Sequence, residues 1–220
     1  MTYKDSILVL AWPDTWVTQT GAWYDPLMHW IGIAKNKKYR VGHAALALIN
    51  HQTGDVHYFD FGRYIAPKGF GRIRDEQTDP SIIVHTKAQI ESDNTISNLD
   101  EILLELHHNK ETHGKGKLVA SCYSKINFKE AYTHIKNWQT KGAVPYGPFT
   151  QKGTNCSRFV ASTLKKGSNS FLLKFLLSLP YTVSPSPKSN IRIANTKRNY
   201  YVVSNNEVKM FKTSITKRIA

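Results

Sequence analysis

The sequence predicts an α+β protein folded as one domain. Three observations carry this. Residues 6–11, 41–49 and 56–62 are short, nearly continuous apolar runs separated by turn signals, as buried strands are. Residues near 99–106, 128–138 and 156–164 repeat their apolar side chains at helical spacing. Residues 198–203 and 208–213 read as closing strands before a basic tail. No repeat is present, and no stretch is polar enough to be a long linker, so residues 1–220 read as a single domain.

The composition narrows the function classes. The chain has 220 residues, of which 40% are hydrophobic, enough for a real core. Two cysteines, Cys122 and Cys156, make no disulfide framework. Neither has a second Cys or His at ligand spacing, so no metal or other cofactor is expected. No secretory signal and no transmembrane segment is read, because the apolar run at 7–12 is too short. The expected location is therefore cytoplasmic. The formal net charge is +14, which favours anionic partners. The basic residues are dispersed and carry no nucleic-acid motif, so they read as a solubilising, steering surface.

In chain order, 6–11 is a buried strand broken by Trp12-Pro13-Asp14. Trp12, Trp16, Trp23 and Trp30 crowd the early chain and read as core or loop packing, with a groove-lining role as the alternative. Residues 27–33 read as a short helix or turn, and 35–40 as an exposed loop. The central strand 41–49 opens with His43. A turn over 50–55 leads to the return strand 56–62. Residues 63–117 read as an irregular insertion that sets the substrate, with a short strand at 82–84 and a helix starting near Ser97. His107, His108 and His113 follow in a polar stretch, where a metal role is the minor reading. Residues 117–123 form a strand with Cys122 as a buried filler. Asn127 and Glu130 resemble a capping box for the next helix. Residues 171–179 form a further helix, and 181–189, rich in proline, an extended crossover.

The chemistry centres on Cys156. A turn-rich run from Pro145 ends at Thr154-Asn155, either of which can cap a helix. Cys156, Phe159, Val160, Thr163 and Leu164 then share one face, which places the thiol in the first turn. Unpaired N–H groups and the positive end of the helix dipole favour thiolate there. The competing reading is a small apolar side chain in a core.

Hairpin parity finds the partners. A four-residue loop, 51–54, sets Asn50 opposite Asp55, Ala45 opposite Asp60 and His43 opposite Gly62. Asp60 then shares a face with His43 at a diagonal of roughly 7–8 Å. An odd loop would put His57 on that face instead, near Ile49, so His57 is the runner-up for the third position. Thiol, imidazole and carboxylate together are the parts of cysteine chemistry on acyl groups.

Residues 42–49, 58–62 and 155–160 (GHAALALI, YFDFG and NCSRFV) resemble the circularly permuted NlpC-like branch of the papain fold, in which the histidine strand precedes the cysteine helix. The resemblance implies an antiparallel, barrel-like sheet packed against a helical lobe. It implies Cys156 as nucleophile, His43 as base and Asp60 in the third polar position, although that position is often His or Glu in the branch. Tyr146 and Asn155 become candidates for oxyanion or substrate binding.

The expected activity is hydrolysis of an amide or peptide bond through a thioester acyl-enzyme, on a peptide, a cell-wall peptide or another acyl substrate. The alternatives are a lipid acyltransferase or lipase using the same triad, and a non-catalytic module binding an anionic polymer.

Overall fold

In the computed structural model, residues 3–18, 34–35, 38–39, 42–148, 150, 152–179, 185–195 and 199–212 are described. The sheet is built from β1 (Asp5–Trp12), β5 (His43–Ile49), β6 (Val56–Gly62), β7 (Phe70–Arg74), β8 (Leu118–Ile126), β9 (Val144–Pro145), β10 (Asn199–Ser204) and β11 (Glu207–Lys212). Three two-residue strands, β2 (Val17–Thr18), β3 (Ala34–Lys35) and β4 (Lys38–Tyr39), form a separate small sheet, and the last two fall at the stretch expected to be a loop, 35–40. The helices are α1 (Leu99–His108), α2 (Phe128–Gln139), α3 (Cys156–Gly167), α4 (Phe171–Ser178) and α5 (Pro187–Ala194).

The large sheet runs β11-β10-β8-β1-β5-β6-β7-β9, and every pairing is antiparallel. It is open rather than barrel-like, with β11 and β9 at its two ends. β11 is largely exposed and carries Lys209 and Lys212, the charged side chains that discourage edge-to-edge pairing.

Both faces are covered. Ile7, Val9, Leu46, Leu48 and Phe59 pack with α2, α3, α4 and α5, while Leu8, Leu10, Ala47 and Tyr58 pack with α1. The helices therefore sandwich the sheet instead of forming one lobe. The reason is in β1 and β5, whose residues are apolar in both directions and need cover on both sides.

The β5–β6 hairpin closes as the parity argument requires. Ala45 pairs with Asp60 and Leu48 with His57. The amide of Asn50 donates to Asp55 and that of Gly54 to Asn50. Gly54 has φ +73°, and a Cβ there would lie 2.7 Å from the Ala88 carbonyl oxygen, so only glycine fits this turn.

Four further readings need correction. Residues 70–74 form β7 inside the stretch expected to be irregular. Arg72 and Arg74 disguised it, yet each reaches a carboxylate, Asp79 and Asp60 respectively. The strand expected at 82–84 is absent, because Pro80 starts a 3-10 turn, Pro80–Ile82. The extended crossover holds only to residue 186 at most: Ser186 caps α5 and Pro187 occupies its first turn, where proline costs nothing. Residues 180–184, like 27–33 with Trp23 and Trp30, lie outside the described residues. Cys122 is half-buried rather than a filler; it lines a cavity of about 80 Å³ with Leu99 and Tyr201.

Candidate active site

Asn155 is the N-cap of α3: its side-chain oxygen accepts from the amide of Arg158, 2.9 Å away. That cap leaves the amide of Cys156, the first helical residue, outside the intrahelical ladder. Asn155 thus helps to build the helix end that presents Cys156. α3 packs on β5 and β6, which brings its N-terminus to the start of β5, where His43 stands.

By strand parity His43 and Asp60 project to the α1 face, whereas Cys156 belongs to the opposite core cluster. His43 can touch both because it is the first residue of its strand, at the margin of the sheet. Its Nε2 lies 3.4 Å from Asp60 Oδ2. That is an ion-pair separation, longer than a formed hydrogen bond, and Nε2 has no hydrogen-bond partner among the described residues. The Cys156 sulfur is close enough to the His43 imidazole for each to shift the ionisation of the other. Trp12, placed opposite His43 by the β1–β5 register, stacks on the imidazole with ring centroids 5.8 Å apart. Exposure falls from Cys156 at 7% and His43 at 6% to Asp60 at 0%.

Asp60 is held on every side. Arg74 clamps it through Nε at 2.9 Å and Nη2 at 2.6 Å, and the Tyr58 hydroxyl donates at 3.2 Å. Arg74 also donates to the Glu111 carbonyl and lies over the Tyr64 ring at 3.7 Å. Arg74 and Tyr58 are neighbours that the sequence reading missed, and Trp12 was read there as core or loop packing with groove lining as the alternative. The alternation Phe70, Arg72, Arg74 on one side and Gly71, Ile73 on the other was the signal for β7, and it would have set Arg74 opposite Asp60.

The electrostatics follow from these contacts. Burial opposes charge on His43, but the Asp60 carboxylate and the Cys156 sulfur outweigh it and raise the imidazole to about 9. Burial pushes the Cys156 thiol up; His43, the amide of Ala44 and the Tyr146 hydroxyl pull it below its ordinary value. Burial also opposes ionisation of Asp60, and His43 with Arg74 more than offsets it. Both shifts favour the charged pair, thiolate beside imidazolium, over the neutral one.

Tyr146 stands beside the sulfur, with its hydroxyl 4.0 Å from Cys156 Sγ. It stacks on Phe61 at 5.6 Å, and the Arg63 guanidinium lies over its ring at 5.3 Å. Its loop is locked to the start of α3, since the amides of Gly147 and Thr154 bond across to Thr154 and Pro145. Gly153 makes this approach possible, because a Cβ there would lie 1.9 Å from the Pro145 carbonyl oxygen. Gly153→Ala is expected to cost about 1–3 kcal/mol, as forced overpacking does. It should also slow Cys156 alkylation by shifting Tyr146; thermal melts and a thiol-labelling time course check both.

The other candidates lie elsewhere. His57 pairs with Glu76 at 2.8 Å and packs on Phe128 and Tyr132, on the face away from His43. His108 bonds Asn206 and His113 stacks on Tyr64. Among the described residues no group of three or more His, Cys, Asp or Glu is placed to hold a metal ion. No helix among them is long and apolar enough to cross a membrane.

The fold is similar to the crystal structure of a type VI secretion system effector, TseH. The TM-score is 0.61 over 96% of this chain and 99% of that one, at 19% identity. No curated protein matches the sequence. A family model described as type VI secretion system effector TseH-like matches residues 7–171. With three quarters of its length inside that match, the chain belongs to the TseH-like family of type VI secretion system effectors.

Proposed function

We propose that this effector is a papain-like cysteine hydrolase of the permuted NlpC type, acting on an amide bond in a peptide or cell-wall peptide. The single observation that carries the reading is the Cys156 sulfur at a helix N-terminus, beside an imidazole whose Nε2 lies 3.4 Å from the buried Asp60 carboxylate.

The steps balance as follows. The Cys156 thiolate attacks the carbonyl carbon and the carbonyl π pair moves to oxygen. The Cys156 amide and the Tyr146 hydroxyl are the donors positioned to receive that oxyanion. Collapse expels the amine, which takes the His43 proton, and a thioester remains. Neutral His43 then removes a proton from water, whose oxygen attacks the thioester. Thiolate leaves, the acid product is released, and His43 again carries the proton. Asp60 acts through His43 by fixing its ring and supporting its charge. Synthesis belongs in the reducing cytoplasm, where neither thiol is oxidised, and action follows export, as the word effector implies.

Alkylation by iodoacetamide, followed site by site by mass spectrometry, tests this. Cys156 should react at pH 6 at least about tenfold faster than half-buried Cys122, because only an activated thiol is ionised there. If both cysteines instead follow the ordinary thiol titration near ~8.5, the reading fails.

A further inference from the structure

The charge of this protein is divided along the chain. Residues 1–130 hold 15 acids and 15 bases, so they are neutral overall. From Ala131 to Asn206 there are 11 Lys or Arg and no Asp or Glu. The bases are dispersed; the acids are not. The acid-free stretch includes all of α3, α4 and α5, which pack on one another.

At its surface lies α4, with its polarity reversed. Leu173 and Leu177 are buried in the core. The remaining apolar residues of the helix face outward: Phe171 is 83% exposed, and Leu172, Phe175, Leu176 and Leu179 are exposed as well. At 100° per residue these five cover a continuous arc, and Phe171 and Phe175 stack on it at 6.3 Å. Lys174 flanks the arc; Lys188 lies in the first turn of α5, and Lys166, in the last turn of α3, is paired with Glu130 at 3.5 Å.

A soluble surface rarely leaves so contiguous an apolar patch uncovered. An anionic polymer would need the lysines but not the phenylalanines. An amphipathic helix with an apolar face amid cations matches a bilayer interface of anionic headgroups over acyl chains. We propose that α4 and the cationic segment that carries it dock this protein on an anionic lipid bilayer. The proposal does not rest on the thiol chemistry.

Flotation with vesicles tests it, using phosphatidylcholine mixed with phosphatidylglycerol and phosphatidylcholine alone. At low salt the wild type should bind the mixed vesicles at least about tenfold better than the neutral ones. Phe171→Ser/Phe175→Ser should lose about tenfold or more of that binding. Both side chains are exposed, so the variant should keep the wild-type melting temperature and the wild-type alkylation rate at Cys156. Failure of the wild type to float with the mixed vesicles overturns the proposal. Equal binding by the variant also overturns it, since that is attraction by charge alone. A wild-type dimer that the variant converts to monomer, with no vesicle binding, assigns the face to a second copy and overturns it too.

Discussion

Cys156→Ala should abolish turnover, with a fall of at least about three orders of magnitude, as removal of a covalent nucleophile does. The Tyr146 hydroxyl beside the sulfur is no substitute, because burial and the neighbouring sulfur push its ionisation far above neutral pH. The substitution should leave the fold intact, since it removes one atom of a small side chain and relieves a buried charge. A second readout separates an ionised thiol from an inert one. In the wild type two pH dependences oppose each other. His43, raised to about 9, contributes stability that is full below its unfolded value of ~6.5 and is lost as pH rises through the folded value. Cys156, lowered in the fold, contributes stability that is full above its unfolded ~8.5 and is lost as pH falls through the folded value. Between those limits the unfolded chain holds one proton on sulfur and the folded chain holds one on the ring. Proton counts match, and stability should be level. Cys156→Ala removes one side of that balance. Its unfolding free energy should decline as pH rises from about 6.5 towards 9, which denaturant melts at several pH values will read. Parallel decline in both proteins would show that the resting site holds no thiolate.

The hairpin that presents His43 and Asp60 was legible because its register depends on local chemistry alone. A four-residue turn ending in Gly54 allows one pairing, and Ala45 opposite Asp60 follows. Cys156 was legible because a capped helix with apolar period 3.6 states its own first turn. What lies around them depends on contacts distant in sequence. Trp12 reaches His43 only through the β1–β5 register, which no turn specifies. β7 was hidden because an arginine looks like a surface residue until its buried acid is known. The three prolines at 180–187 were read as extended chain, yet Pro187 sits where a helix start accepts it. An open sheet covered on both faces, against the implied barrel and single lobe, is likewise a packing outcome. It follows from the apolar faces of β1 and β5 competing for helices, and no local pattern announces which helix takes which side.

The Asp60–Arg74 clamp separates folding from chemistry. Asp60→Asn removes the negative charge that supports the His43 imidazolium and leaves Arg74, 2% exposed, without its counterion. Breaking one side of a buried pair costs about 3–5 kcal/mol, a fall in melting temperature on the order of 10 °C for a chain of this size. Arg74→Met strands the Asp60 carboxylate and should cost a similar amount. The double variant removes both charges, and replacing a buried pair by apolar or neutral groups is often close to neutral. Its melting temperature should therefore recover most of the loss, with a coupling of at least about 2 kcal/mol between the two sites. Activity should not follow. In the double variant the ring of His43 has no carboxylate to fix it or to hold its proton, so Cys156 reverts towards an ordinary thiol. Turnover should stay about two orders of magnitude or more below wild type, and alkylation at pH 6 should slow with it. Asp60 positions the imidazole only if the two measurements part in this way. Should turnover return together with the melting temperature, the carboxylate serves the fold and the cysteine–histidine pair works without it.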